Sequence, residues 1–223
     1  RVLMFDSDGV LLAREQQSYP PYISPGPGRA EQDPEIYWSG LTDACRALKA
    51  KVPDLFDAIA GVGVTAQRNT MINVDKNGCV LRPAIVWLDQ RTAAPVFGTR
   101  GPLGLALNLA GLVSGVKRKI MDVQAQGKCN WIMQHQPDIW ENTHKYLQVS
   151  GFLNHRLTGC FADATAAQIG HLPFDYKRQK WAGQISLPRM LFPVPQEKLP
   201  DLVTAGAILG HVTEQASRLT GIP

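Results

Sequence analysis

A run of small and β-branched apolar residues at 58–65 limits the fold more than any other stretch of this chain. Its sequence, Ala-Ile-Ala-Gly-Val-Gly-Val-Thr, is almost unbroken by polar residues. Such a run is typical of a central β-strand that is covered on both faces. A strand of this kind needs other layers of structure on each side of its sheet, which favours an α/β protein.

Short apolar runs and helical patterns alternate along the rest of the chain, which also favours the α/β class. Residues 96–118 are irregular and Gly-rich. A hairpin is predicted to turn at Gly9, and strands are predicted at 70–75, 80–87 and 145–149, with a turn at 76–78. The first predicted helix is capped by Asp33, opens with Pro34 and continues past Leu48. Further helices are predicted at 128–135, at 137–142, at 151–157 and between Thr213 and Gly221.

Composition excludes several classes of function. The 223 residues are 44% hydrophobic, yet no apolar run approaches the length of a membrane helix, so no membrane attachment is expected. The net charge is only +4, and the densest basic run is Lys117-Arg118-Lys119. Nucleic-acid surfaces normally have a longer basic stripe with aromatic residues between the charges, so no nucleic-acid partner is predicted. A solvated loop is the preferred interpretation of the run, and an anion-binding patch is the alternative.

The cysteines predict a compartment rather than a metal site. Cys45, Cys79, Cys129 and Cys160 are scattered and form no CxxC pair, so a zinc site is unsupported. Scattered cysteines are most simply buried thiols in a reducing compartment. We therefore expect four buried thiols and a cytoplasmic location.

Three consecutive polar residues follow the predicted central strand. Gln67, Arg68 and Asn69 would project from the edge of the sheet, and ligands of α/β proteins tend to bind beyond the carboxyl ends of strands. Arginine donates hydrogen bonds through a rigid fork, and both amides donate and accept, so the set suits a polyhydroxylated ligand. An ordinary strand-to-loop junction explains this segment equally well.

A second predicted strand ends in Trp87, Asp89 and Arg91 at alternating positions. Alternation would place the three side chains on one face of the strand. A tryptophan beside polar groups suits a sugar or polyol, because the ring packs on C–H surfaces while the polar groups meet the hydroxyls. The competing interpretation is a core tryptophan beside an Asp89–Arg91 ion pair, and for the ion pair this interpretation is preferred.

The order of these segments resembles the N-terminal domain of the FGGY carbohydrate kinases, the family that contains glycerol kinase and the ketose kinases. The resemblance extends over nearly the whole chain. The matching pieces are Val2–Gly9, Gln32–Trp38, Gly63–Thr70, Asp75–Thr92, Lys128–Trp131, Gln136–Trp140, Val149–Gly159, Asp163–Thr165, Asp175 with Trp181, and Gly210–Pro223.

The resemblance implies a fold and a reaction. The fold is actin-like (ribonuclease H-like), with a mixed sheet flanked by helices, and residues 1–223 would form one substrate-recognition domain. A C-terminal kinase domain would follow, with the sugar and ATP in the cleft between the two domains. The γ-phosphoryl group of ATP, accompanied by Mg²⁺, would pass to a hydroxyl of a sugar, ketose or polyol. Family members often form dimers or tetramers, so a homo-oligomer is a further expectation.

The resemblance also implies roles for particular residues. Gln67, Arg68, Asn69 and Trp87 map to substrate contacts. The family's phosphate loop would lie before residue 1 and its general base beyond residue 223, so the first strand would be missing and this segment alone would be inactive. Asp89 and Asp163 are interpreted as structural acids and not as the base.

The substrate and even the activity stay open at this point. Gln67-Arg68 resembles the glycerol-kinase pattern, but Asn69 stands where glycerol kinases have Glu, and Val123-Gln124 stand where a Tyr-Phe pair is expected. The Met-His pair of xylulose kinases is also missing. A different sugar or polyol therefore fits the sequence, and a non-catalytic sugar-binding or regulatory relative is the alternative function.

Overall fold

A four-stranded sheet lies at the centre of the fold in this computed structural model, which describes residues 1–94 and 116–223. Its strands follow the spatial order β3 (Glu31–Gln32), β5 (Ala84–Ile85), β4 (Met71–Val74) and β6 (Lys145–Gln148). All pairings are antiparallel, and Met71 lies opposite Ile85 on one side and Gln148 on the other. The predicted strands at 70–75 and 145–149 are confirmed. Of the predicted strand at 80–87, only Ala84–Ile85 forms a strand, and Val80 forms an isolated bridge to Val74.

The sheet is covered on both faces, because alternate side chains of its strands belong to different core clusters. Ile72, Val74 and Leu147 pack into one cluster, and Met71 and Tyr146 pack into the other. The first cluster is completed by helices α1 (Glu35–Lys51), α6 (Val149–Thr158) and α8 (Glu214–Thr220), and the second by α4 (Lys128–His135) and α5 (Pro137–Asn142). This arrangement of a mixed α/β protein confirms the predicted class.

The predicted central strand at 58–65 is wrong. Residues 58–65 have no regular secondary structure, and all of them are exposed or only partly buried. Within residues 1–94 and 116–223, no strand pairs with this run. The central strand is β4 instead, whose four residues are all buried because β5 and β6 pair with its two edges.

The predicted hairpin and helix ends are confirmed. Strands β1 (Val2–Phe5) and β2 (Leu11–Glu15) pair antiparallel, and Gly9 adopts the positive φ of 81° that the turn requires. Helix α1 begins one residue after Pro34, and the Asp33 carboxylate accepts a hydrogen bond from the Glu35 N–H at 3.0 Å. Helix α8 is capped by the Thr213 hydroxyl and ends at Gly221 in the left-handed conformation, as predicted.

The remaining elements are short and lie around this core. The helices predicted at 128–135 and 137–142 have those bounds, and the one predicted at 151–157 is α6. Most of the irregular segment predicted at 96–118 lies outside the described residues. The other elements are α2 (Pro53–Asp57), α3 (Val116–Ala125), β7 (Ala162–Ala164), β8 (Phe174–Asp175), β9 (Lys180–Trp181), α7 (Leu187–Leu191), β10 (Asp201–Val203) and 3₁₀ turns at Thr165–Ala167 and Gln196–Lys198.

The four cysteines divide into a buried pair and an exposed pair. Cys45 and Cys129 are buried, but Cys79 and Cys160 are exposed, so the expectation of four buried thiols is wrong for half of them. Cys79 follows a turn and Cys160 follows a helix end, where neither thiol reaches the core. None of the helices in the described part of the chain is long and apolar enough to cross a membrane.

Candidate functional site

Three strand ends meet at one end of the central sheet, which we call the strand-end edge. Because β4 runs antiparallel to both of its neighbours, its start at Met71 lies beside the carboxyl ends of β5 and β6. Gln67, Arg68 and Asn69 therefore precede a strand, and the expectation that they follow one is wrong. The three residues nevertheless lie where the start of β4 meets the carboxyl ends of β5 and β6.

The buried hydroxyl of Thr70 joins two of the predicted site segments. Thr70 is fully buried, and its Oγ1 accepts hydrogen bonds from Gln67 Nε2 at 3.1 Å and from the backbone N–H of Trp87 at 3.2 Å. The sequence interpretation did not single out Thr70. Its position directly after the three polar residues was the available signal.

Asn69 is held in an unusual backbone conformation by a neighbouring strand. Its φ is 60°, in the left-handed region, and its N–H donates to Gln148 Oε1 at 2.9 Å. Gln148 is buried at the end of β6, and its Nε2 donates to the carbonyl oxygens of Ala167 and Ile169. The Oδ1 atom of Asn69 is buried and has no hydrogen-bond partner among the described residues.

A glycine makes room for Asn69 at this edge. Gly170 has φ of 133°, and a Cβ atom there would lie 3.3 Å from both Cβ and Oδ1 of Asn69. The loop after the 3₁₀ turn Thr165–Ala167 therefore packs closely against the segment before β4. Neither Gln148 nor Gly170 was predicted from the sequence, because only the tertiary fold brings their loops to Asn69.

Gln67, Arg68 and Trp87 are the exposed members of the set. Arg68 is exposed, and in the described part of the chain its guanidinium has no hydrogen bond or ion pair. Trp87 is 56% exposed in a turn two residues beyond the end of β5. The Arg68 guanidinium and the Trp87 ring thus remain accessible beside the buried Thr70 hydroxyl and Asn69 Oδ1. A guanidinium that donates hydrogen bonds and an aromatic ring that packs on C–H groups are suited to a sugar or polyol.

The expectation that Trp87, Asp89 and Arg91 share one face is wrong, because the strand ends before them and the chain turns. The side chains of Asp89 and Arg91 are 0% and 3% exposed, and they form an ion pair at 2.7 Å. Asp89 also accepts a hydrogen bond from the Ala30 N–H at 2.6 Å. Burial alone would raise the pKa of Asp89, but the donors of Arg91 and Ala30 outweigh it and hold this pKa below its usual value.

The ion pair belongs to a larger buried network that fixes the Trp87 turn. Arg91 contacts Glu31 at 2.8 Å, and Glu31 also contacts Arg82 at 2.6 Å. Because Glu31 lies on β3, the network ties the turn after β5 to the neighbouring edge of the sheet. The structural interpretation of the Asp89–Arg91 pair therefore fits the geometry.

Asp163 is also engaged by protein donors. Its carboxylate accepts hydrogen bonds from Ser150 Oγ at 2.7 Å, Gln168 Nε2 at 2.8 Å and Asn154 Nδ2 at 3.1 Å. Burial raises the pKa of this carboxyl, and the hydrogen bonds oppose that rise. Asp163 anchors α6 to the loop that leads to Gly170, in keeping with its interpretation as a structural acid.

Lys128 is a buried cation that sequence reasoning did not assign to the site. It begins α4 and is only 4% exposed, and burial lowers the pKa of its ammonium to about 8. Its charge interacts with Asp89 and Arg91 on one side, and it also acts on His171, the residue after Gly170. The available sequence signal was a lysine in an otherwise well-buried helix start.

The described residues contain no preformed cluster of metal ligands. Within them, no three side chains of His, Cys, Asp or Glu lie close enough together to hold a metal ion. The two most buried candidate acids, Asp89 and Asp163, already accept hydrogen bonds from protein donors. We therefore derive no step of any reaction through a metal held by this part of the chain.

Comparison with curated proteins identifies kinases that align with nearly the whole of this chain. The chain is 29% identical over 219 residues to a glycerol kinase of Ectopseudomonas mendocina, an alignment that covers 95% of this chain and 42% of the relative. It is 23% identical over 210 residues to a xylulose kinase of Lactococcus lactis, which covers 94% of this chain and 40% of that protein. The chain thus spans about two fifths of the length of these relatives.

Solved structures show the same fold. A xylulose kinase of Rhodospirillum rubrum matches with a TM-score of 0.74 and 21% identity, covering 99% of this chain and 44% of that one. A Plasmodium falciparum glycerol kinase with ADP matches with a TM-score of 0.60 and 20% identity, covering 96% of this chain and 42% of that one. The predicted actin-like (ribonuclease H-like) fold is therefore confirmed.

A family model matches the complete chain. The model describes the N-terminal domain of the FGGY family of carbohydrate kinases, and it matches residues 1–223. The match agrees with the order of segments from the hairpin at Gly9 to helix α8. The chain belongs to the FGGY family of carbohydrate kinases.

Proposed function

We propose that this chain is the substrate-recognition domain of an ATP-dependent carbohydrate kinase, which transfers the γ-phosphoryl group of ATP to a hydroxyl of a sugar, ketose or polyol. The observation that carries the proposal is the accessible pair Arg68 and Trp87 at the strand-end edge, with Gln67 and Asn69 held beside them through Thr70 and Gln148. The kinase relatives named above support the reaction class.

In this proposal the four site residues bind and orient the substrate. The Trp87 ring packs on the C–H surface of the sugar, and the Arg68 fork donates hydrogen bonds to its hydroxyl oxygens. The Gln67 and Asn69 amides complete the polar rim. Phosphoryl transfer depends mainly on such positioning and on stabilisation of charge, so loss of a positioning residue lowers the rate of transfer.

We further propose that a C-terminal domain completes the cleft and contributes the ATP-binding groups and the general base. This chain covers only about two fifths of the kinase relatives, which supports the assignment of these groups to a second domain. The complex of the Plasmodium relative with ADP supports a nucleotide as the second substrate. Neither Asp89 nor Asp163 is assigned as the base, because protein donors occupy both carboxylates.

The test is turnover of the full-length gene product with Mg²⁺-ATP on a panel of polyols, ketoses and aldonates, followed by release of ADP. We expect phosphorylation of at least one panel member. Arg68→Ala should lower kcat/KM for that substrate at least about tenfold, because a charged hydrogen bond is lost, while the KM for ATP stays the same.

A matched control is Arg46→Ala, which removes an exposed arginine from α1 far from the strand-end edge in sequence. This variant should keep wild-type turnover. Absence of phosphorylation across the panel would favour a non-catalytic relative. Wild-type turnover by Arg68→Ala would remove Arg68 from the site.

A further inference from the structure

The Lys128 side chain is largely buried, but its ammonium is not among the fully enclosed atoms that lack a partner. Lys128 is 4% exposed at the start of α4, and among the described residues its Nζ has neither a hydrogen-bond acceptor nor an ion-pair partner. The nearby carboxylate of Asp89 is already paired with Arg91 and with the Ala30 N–H. Partial burial of the charge costs stability, and with no protein acceptor the ammonium is free to donate hydrogen bonds to a bound molecule.

The surroundings of Lys128 belong to the candidate site. Arg91, the partner of Asp89, places its guanidinium carbon 4.5 Å from the centre of the Trp131 ring, three residues after Lys128 on α4. His171 Nδ1 lies 3.0 Å from the carbonyl oxygen of Gln126, two residues before Lys128, and its neighbour Gly170 packs against Asn69. The start of α4 therefore contacts both the segment that follows Trp87 and the loop that packs on Asn69, and the Lys128 charge acts on Asp89, Arg91 and His171.

We propose that Lys128 is a substrate-binding residue, whose ammonium donates hydrogen bonds to an oxygen of the substrate beside Trp87 and Asn69. The inference rests on the proposed function. At neutral pH the amine, with its pKa lowered to about 8 by burial, is still mostly protonated and can donate. Its partner is a hydroxyl, carbonyl or carboxylate oxygen, and with Arg68 it gives the site two cations that a carboxylate-bearing polyol would neutralise.

The proposal predicts opposite effects on stability and on binding. Lys128→Met keeps a long unbranched side chain but removes the buried charge, so it should raise the unfolding midpoint of the full-length protein. The same substitution removes a charged donor, so the KM for the sugar substrate should rise about 10- to 100-fold, while the KM for ATP changes less than about twofold.

The pH dependence provides a second readout. The groups that act on the Lys128 amine are Asp89, Arg91 and Cys129, and it acts in turn on His171. The pKa is about 8 in the folded protein and 10.5 for the free side chain, so the charge destabilises the fold fully below pH 8 and progressively less towards pH 10.5. The gain in midpoint from Lys128→Met should therefore be larger at pH 7 than at pH 10.

The control is Lys76→Met, which removes an exposed lysine from the turn after β4 and should change neither the midpoint nor the KM. The proposal is overturned if the sugar KM of Lys128→Met stays within about twofold of wild type. It is also overturned if this variant is less stable than wild type, because the amine would then have a structural partner. Failure of wild-type protein to phosphorylate any panel member is a different result, which overturns the proposed function itself.

The panel also identifies the oxygen that Lys128 contacts. A larger rise in KM for an aldonate than for the matching polyol would place the ammonium on a carboxylate. Equal rises for the two would place it on a hydroxyl that both substrates share. Either result supports the assignment of Lys128 to the substrate.

Discussion

The backbone N–H of Trp87 donates a hydrogen bond to the side-chain oxygen of Thr70 at 3.2 Å, across the junction of β4 and β5. The same oxygen accepts from Gln67, so one buried hydroxyl connects both segments of the proposed substrate site. The relationship makes Thr70 a positioning residue, since it is fully buried and does not itself meet the solvent.

Replacement of Thr70 by Val should therefore affect both stability and substrate use. The change keeps the shape but leaves the Trp87 N–H without its acceptor, which costs about 1–3 kcal/mol of unfolding free energy. We expect the sugar KM to rise while the KM for ATP stays constant. Thr70→Ser retains the hydroxyl and should recover most of the KM effect. Chemical denaturation and steady-state kinetics check the two effects, and an unchanged sugar KM in Thr70→Val would contradict the positioning role.

Replacement of Gly170 by Ala should disturb Asn69 directly. The new Cβ would lie 3.3 Å from Asn69 and would also require a backbone with φ of 133°. We expect a loss of about 1–3 kcal/mol in unfolding free energy and weaker use of the sugar. Gly206→Ala is the control, because Gly206 also has a positive φ but has open space around it. Equal sugar KM values for the two variants would argue against the contact with Asn69.

Replacement of Asp89 by Asn should be strongly destabilising. It would leave the buried Arg91 guanidinium with only Glu31, which Arg91 shares with Arg82, and removal of one member of a buried ion pair costs about 3–5 kcal/mol. Asp43→Asn, at an exposed position on α1, is the control and should stay within about 0.5 kcal/mol of wild type. Urea unfolding at pH 7 measures both, and a small effect of Asp89→Asn would show that the network does not depend on this charge.

The same variant reports the sign of a pH effect. The pKa of Asp89 in the folded protein lies below 3.8, its value in a free side chain, so its contribution is complete above that pH and is lost as the pH falls below it. The difference in stability between wild type and Asp89→Asn should thus shrink between pH 5 and the acid limit of folding. A difference that grows in that range would show that folding does not lower the pKa of Asp89.

Replacement of Gly78 by Ala separates crowding from backbone strain. Gly78 and Gly159 have nearly the same φ, 78° and 75°, but a Cβ at Gly78 would collide with the His155 ring, and a Cβ at Gly159 would meet nothing. The His155 ring cannot simply move away, because it stacks on Phe161 with ring centroids 3.9 Å apart. We expect Gly78→Ala to lose about 1–3 kcal/mol more than Gly159→Ala in thermal or urea unfolding. Equal losses would mean that the ring adapts.

Local signals in the sequence predicted much of this architecture. The Asp33-Pro34-Glu35 start of α1, the turn at Gly9, and the Thr213 cap of α8 depend on neighbouring residues, and they appear where the sequence predicts them. Burial in a central strand is different, because it depends on which strands become neighbours. The apolar run at 58–65 has the right composition but no neighbouring strand in the described residues, whereas Met71–Val74 is flanked on both sides.

The sequence by itself determined the α/β class, most element positions and the family, because these follow from local preferences and from the order of motifs. It also pointed to Gln67, Arg68, Asn69 and Trp87 as the proposed substrate residues. The tertiary structure alone showed that Thr70, Gln148 and Gly170 contact these residues, and that Lys128 is a buried lysine whose charge acts on Asp89 and Arg91. Contacts between residues that are 17 to 101 positions apart, such as Thr70 with Trp87 and Asn69 with Gly170, arise only when strands pair and loops pack, so local sequence patterns do not reveal them.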